Sequence, residues 1–243
     1  MGKLSEGDGL RPERKTLDAG DIRSHVFSGR SPKLSPRMAI VLATNNPGKL
    51  GELQALLAPL AIEVLQQSQF TDVAAAESGL SFVENAILKA RHAAHASGLP
   101  AIADDSGIEV DALHGAPGIY SARYAGEQAS DRANLDKLLL ELRDVPVAKR
   151  TARYRCALAF MRWDLDPSPL VCQASWEGRI TTAPRGAGGF GYDPIFEISP
   201  GMTVAELPTR EKNQLSHRGQ ALRLLVEQLQ QHGIAGGSLA SGQ

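Results

Sequence analysis

Two adjacent carboxylates, Asp104 and Asp105, follow the short apolar run Ala101-Ile102-Ala103 and lead into Ser106-Gly107. In open α/β sheets, ligands bind beyond the carboxyl ends of the strands, and a paired acid there can hold a divalent cation or activate a water. The competing reading is a plain turn, since Asp, Ser and Gly are all turn formers. Two further polar constellations share the plan. The apolar run 39–43 breaks into Thr44-Asn45-Asn46-Pro47-Gly48-Lys49, ahead of a helical pattern at Leu50, Leu53, Leu56 and Leu57. A strand, a glycine-containing turn and a helix start together make an anion site, to which Lys49 adds a full charge. The spacing is not that of a Walker A loop. Near the C-terminus, Glu211-Lys212-Asn213 and Ser216-His217-Arg218-Gly219 bring Lys212, His217 and Arg218 to the mouth of another helix. Positive charge is unfavourable at a helix start, which hints at an anion there.

The elements that must position these residues alternate. A strand is expected at 62–65. Ser81-Phe82-Val83-Glu84 reads as a capping box opening a helix with Ile87, Leu88, Ala90 and Ala94 on its apolar side, stopped by Gly98 and Pro100. A helix at 131–142 carries Leu135, Leu138, Leu139 and Leu142 at helical spacing. Two β-rich runs, 151–163 and 170–180, flank Asp166-Pro167-Ser168-Pro169 and read as an antiparallel hairpin. A last helix covers 216–231. The class is α/β, with a mixed sheet of parallel and hairpin strands. Gly115 to Gly118 force a tight turn before residues 119–124, as scaffold.

Composition bounds the function. The 243 residues are 42% hydrophobic and 22% charged, as in an ordinary globular protein. A net charge of -1 argues against bulk nucleic-acid binding, so phosphate recognition is local. No apolar run approaches a membrane span, and no signal-peptide core stands near the start, so a cytoplasmic protein is expected. Cys156 and Cys172 sit in apolar strand-like runs and read as buried free thiols. Residues 1–37 are too charged and too poor in large apolar groups to form a core, so a disordered extension is expected, with Met38 a possible functional start. Residues 38–234 form the expected domain and 235–243 a flexible tail.

The order Thr44-x-Asn46-x-x-Lys49, Ser81-Phe82-x-Glu84-Asn85-Ala86, Ala103-Asp104-Asp105-Ser106-Gly107, Gly115-Ala116-Pro117-Gly118-Ile119-Tyr120-Ser121-Ala122-Arg123-Tyr124, Gly189-Phe190-Gly191-Tyr192-Asp193-Pro194 and Ser216-His217-Arg218-Gly219 resembles the inosine triphosphate pyrophosphatase family. The resemblance runs from Met38 to about residue 229. Asn45 and Pro47 depart from the family's smaller or aliphatic residues, and residues 1–37 have no counterpart. It implies an elongated mixed sheet flanked by helices, with two lobes and a central nucleotide-binding cleft. It also implies magnesium-dependent hydrolysis of ITP, dITP and XTP to monophosphate and pyrophosphate, and a homodimer without nucleic-acid or membrane partners.

By the same resemblance Asp105 is general base and metal ligand, and Glu77 the second metal carboxylate. A metal-bound Asp loses basicity and could instead only orient the water. Phosphate contacts fall to Thr44, Asn45, Asn46, Pro47, Gly48, Lys49, Ser106 and Lys212. Phe190, in the loop with Gly191 and Tyr192, offers a face for purine stacking, against a competing place in the hairpin core. His217 and Arg218 would donate to a 6-keto oxygen, and Asp193 would accept from the ring N–H. Strand alternation turns Asp104 to the opposite face as a hydrogen-bond acceptor. Arg123 is left between a phosphate and a subunit contact. Two alternatives remain: a Maf-like pyrophosphatase, whose Ser-x-Ser-Pro-Arg-Arg start is absent, and a catalytically silent nucleotide-binding protein, against which Asp105, Lys49 and Lys212 speak.

Overall fold

The computed structural model describes residues 39–44, 46–58, 62–198 and 201–234. The expected extension, the start at Met38, the C-terminal tail and Asn45 lie outside the described residues. The sheet grows from β1 (Ala39–Leu42), whose Ile40, Val41 and Leu42 are fully buried. The chain then turns directly into α1 (Pro47–Leu57). Asn46 caps this helix, its side-chain oxygen accepting from the N–H groups of Gly48 (2.9 Å) and Lys49 (3.1 Å), and Pro47 presets the first helical φ. After β2 (Glu63–Gln66) comes α2 (Phe82–Ser97), capped by Ser81 and ended by Gly98 at φ 67°. Glu84 reaches back to the Leu80 N–H at 2.8 Å, one residue before the partner a capping box uses.

The remaining elements are β3 (Ala101–Val110), α3 (Asp131–Glu141), β4 (Thr151–Met161), β5 (Leu170–Ile180), β6 (Phe196–Ile198), β7 (Met202–Thr203), α4 (Thr209–Leu215) and α5 (His217–Gln231). Among the described residues they form one mixed sheet in the order β2-β1-β3-β4-β5-β6-β7, parallel at β2-β1-β3 and antiparallel beyond. The sequence pattern placed the first five strands and four of the helices; β6, β7 and α4 are too short for periodicity to reveal.

The two carboxylates do not stand at a strand end. β3 pairs with β1 only through Ala101 and Ile102, but with β4 along its whole length, Asp104 opposite Leu158 and Asp105 opposite Ala157. The ladder to β4 satisfies the backbone, so Asp-Ser-Gly is strand and not turn. The carboxylates still lie beyond the carboxyl end of β1, where β3 has lost its parallel neighbour.

Alternation along β3 assigns faces. Ile102 joins Ile40, Leu42, Leu158 and Phe160 under α1 and α5, packed on Leu53, Leu57, Leu222, Leu225 and Leu229. Ala101 and Ala103 face the other way with Ala157 and Ala159, against Ala86, Ala90, Ala93 and Ala94 of α2. That helix buries alanines rather than Leu88, which keeps its axis close to the sheet. Farther along, Ile108 and Val110 enter a third cluster with Tyr154, Ile180, Phe196 and the leucines of α3. These cores build two lobes, and the middle of β3 runs between them. Cys156 and Cys172 are free and buried, burial pushing their thiols up to about 12 and about 11.

Candidate active site

Asp104 and Ser106 face the α1–α5 side, where the C-terminal motif arrives. Ser216 ends α4 and caps α5, its hydroxyl accepting from the Gly219 N–H at 3.0 Å. The corner is so tight that a Cβ at Gly219 would stand 2.0 Å from the Asn213 carbonyl oxygen. This corner delivers Lys212, His217 and Arg218 to the sheet. Arg218 donates from Nε to Asp104 (3.3 Å), from a terminal nitrogen to Ser106 Oγ (3.1 Å), and to Glu52 of α1. Lys212 Nζ lies 2.9 Å from both Glu52 and Asp193, and Lys49 Nζ 3.1 Å from Asp104. The positive helix start hinted at a bound anion, but the buried carboxylates of Glu52, Asp104 and Asp193 already balance it. Burial opposes the charge on Asp104, yet Lys49, Arg218 and Lys89 hold its carboxyl far below the usual range. Burial and the Arg218 charge push His217 well below the usual imidazole value, so its ring is neutral. That ring stacks on Tyr154 at 4.7 Å, and its Nδ1 is buried without a partner.

The loop before β6 closes this side. Gly189 takes φ 72°, and a Cβ there would strike Asp193. Asp193 accepts from the Phe190 N–H at 2.9 Å and from the Tyr154 hydroxyl at 3.1 Å. The Gly191 N–H donates to Asp131, the first residue of α3, at 2.8 Å. Tyr192 donates to the Ser121 carbonyl at 2.8 Å. The Phe190 ring therefore lies outside the hairpin core, 4.3 Å from Lys212 Nζ and against Gly48, where any Cβ would meet the ring at 2.8 Å.

Asp105 faces α2. Its Oδ1 lies 2.6 Å from Lys89 Nζ, which also meets Glu77 at 3.2 Å, while Arg123 donates to Glu77 at 2.8 Å. Burial raises the Asp105 pKa above the usual carboxylate value despite the opposing Lys89 charge. Burial alone would raise Glu77 too, but Lys89 and Arg123 bring it below the ordinary value. Lys89 is held above its ordinary value, burial being outweighed by Asp105, Asp104 and Glu77. Glu77 and Asp105 converge on one ammonium, so their oxygens also fit a hard cation. Among the described residues no group of three or more His, Cys, Asp or Glu side chains gathers to hold a metal. Two carboxylates with the remaining positions open to water suit a hard divalent cation.

Most of the sequence-predicted residues fall into two adjoining compartments, whereas the buried Asp105 lines neither. Phe190, Gly191, Tyr192, Asp193, Lys212, His217, Arg218 and Ser106 line one, Thr44, Glu77 and Asp104 the other; Asn46 and Lys49 line both. Thr44 accepts from the Asn46 N–H at 3.2 Å, and Pro47 and Gly48 form the first turn of α1. Arg123 is committed to Glu77. Sequence reasoning missed Lys89, Asn85, Glu52, Tyr154 and Asp131. A signal existed for two: Asn85 and Lys89 are four residues apart and share a helix face, and Asn85 is fully buried beside Asp105, its amide 3.5 Å away.

Fold and site together define an α/β protein with a divided cleft, carboxylate- and cation-lined on one side and capped by an aromatic ring on the other. The chain belongs to the Ham1 family, whose model matches residues 40–228. It is 59% identical over 191 residues to a dITP/XTP pyrophosphatase of Pectobacterium atrosepticum, covering 78% of this chain and 97% of that one. A dITP/XTP pyrophosphatase of Thioalkalivibrio sulfidiphilus is 60% identical over 194 residues, covering 79% and 99%. Among solved structures, a HAM1 protein from Coxiella burnetii superposes with a TM-score of 0.75 at 49% identity, covering 80% of this chain and 99% of that one.

Proposed function

We propose that this chain is a magnesium-dependent pyrophosphatase of non-standard purine nucleoside triphosphates, splitting ITP, dITP and XTP into monophosphate and pyrophosphate and so keeping deaminated purines out of nucleic acid. Its relatives named dITP/XTP pyrophosphatase support the substrate class. The observation that carries the reading is the joining of the Asp105–Lys89–Glu77 cluster, through Lys49, to the pocket capped by Phe190.

Hydrolysis between the α and β phosphates forms a bond from water oxygen to the α phosphorus and breaks the bond to the bridging oxygen, which leaves with pyrophosphate. Asp105 takes the proton of the attacking water. Held by Glu77 and Asp105, magnesium would neutralise phosphate charge. Lys49 and Lys89 stabilise the negative charge that develops on the leaving group, the amides at the start of α1 being already taken by Asn46. At the other end, the purine stacks on Phe190. Neutral His217 and the N–H groups of Arg218 not already bonded address the 6-keto oxygen, and Asp193 takes the ring N–H. Adenine presents an amino group there instead, and buried donors left unpaired are costly.

The protein acts as a cytoplasmic homodimer, and the catalytic unit starts at Met38. A steady-state panel of ITP, dITP, XTP and ATP with magnesium and with EDTA, following pyrophosphate and monophosphate together, tests the reaction. Release of single phosphates, or equal turnover of ATP, overturns it. Light scattering reads the dimer, and the chain shortened to residues 38–243 must keep its turnover.

A further inference from the structure

Phe190 rests on an unusual segment. Gly186, Gly189 and Gly191 all take positive φ (78°, 72° and 61°), so the backbone around the ring has little intrinsic preference for one path. Backbone bonds from the Gly188 N–H to Ala205 and from the Asp193 N–H to Phe190 hold its two ends, and two side-chain acceptors hold the amides at the ring. Asp193 holds the Phe190 N–H from within the loop, and Asp131 holds the next N–H, that of Gly191, from 60 residues away. Asp131 is itself well placed: it opens α3, whose N-cap Ser130 accepts from Ala133, and α3 is anchored by the buried Leu135 and Leu138. Its carboxylate lines the same pocket as Phe190, Lys212 and His217.

We infer that Asp131 is a positioning residue for the base: it ties the Phe190 loop to α3 and so sets the height and tilt of the stacking ring over the purine slot. This rests on the stacking role proposed for Phe190. Because the bond is made whether or not the phosphates are reacting, its loss weakens binding of substrate and transition state alike, which raises KM and leaves kcat.

The test is ITP kinetics on Asp131→Ala, Asp131→Asn, Phe190→Ala and the double variant Asp131→Ala/Phe190→Ala, with thermal melts on each. Losing one hydrogen bond at an exposed site predicts a rise in KM of roughly threefold for Asp131→Ala, with kcat within about twofold. Asp131→Asn keeps an acceptor oxygen and recovers most of the loss. With the ring removed, Asp131→Ala adds little to the KM of Phe190→Ala. Wild-type KM in Asp131→Ala overturns the inference, and so does a full additional cost in the Phe190→Ala background, which would mean that Asp131 contacts the nucleotide directly. A KM rise shared equally by Asp131→Asn, accompanied by a lowered melting temperature, overturns it in favour of a role in α3 alone. If Phe190→Ala itself leaves KM unchanged, the stacking role is what has failed.

Discussion

Replacing Asp104 by asparagine keeps the shape of a side chain with no exposed surface and removes the charge that joins Lys49, Arg218 and Ser106. Breaking a buried ion pair from one side costs about 3–5 kcal/mol, because the partner is left uncompensated. Two features reduce that figure here: the Lys49 side chain is 18% exposed, and Arg218 keeps Glu52. We expect a loss of about 2–4 kcal/mol at pH 7, which at a urea slope of about 2 kcal/mol/M shifts the midpoint by roughly 1–2 M. The pH dependence identifies the origin. The folded carboxyl is held far below its unfolded value of about 3.9, so its contribution is complete above that pH and is lost as pH falls below it. Each pH unit below about 3.9 removes roughly 1.4 kcal/mol from the gap between wild type and variant, so the gap at pH 3 should be about 1 kcal/mol smaller than at pH 7. Urea titrations of both proteins at the two pH values read this directly. A variant within about 0.5 kcal/mol of wild type at pH 7, or a gap unchanged at pH 3, would refute the assignment of Asp104 as the charged node of the cleft.

Asp105→Asn, one residue along, should behave differently: turnover of ITP falls by roughly two to four orders of magnitude, the range for a lost acid–base group, while circular-dichroism melts show a far smaller loss than Asp104→Asn. Near-normal turnover at saturating magnesium would move the base to another group. Since burial raises the Asp105 pKa in the metal-free protein, its carboxyl should titrate above an ordinary aspartate by NMR without magnesium, and magnesium should move that titration down. Lys49→Ala should weaken ITP and ATP by the same factor in a pyrophosphate-release assay, because both carry the triphosphate. Wild type should favour ITP over ATP by at least about a hundredfold in kcat/KM, and His217→Ala should shrink that ratio; an unchanged ratio would remove His217 from base reading.

Much of the protein was legible one element at a time. The hairpin of β4 and β5, the Ser81 cap, the leucine face of α3 and the end of α2 at Gly98 rest on local periodicity and capping, which act over a few residues and so survive in a bare sequence. The motifs carried the resemblance because residue types at fixed spacing are themselves sequence. Legible too was the division of Asp104 from Asp105, since alternation puts neighbours in a strand on opposite faces. What tertiary structure alone decided was which distant groups meet. Nothing local indicates that β3 would continue past its apolar start, because its partner for that stretch is β4, some 50 residues on. Glu52 reads as one charge on a surface helix until α4 and α5 bring Lys212 and Arg218 against it. Lys89 looks like a solvated helix lysine until packing of the small alanine face of α2 carries it to Asp105. Charge balance in the cleft depends on these long-range pairs, and the distance between charges is fixed by packing of the two lobes, which no spacing along the chain records.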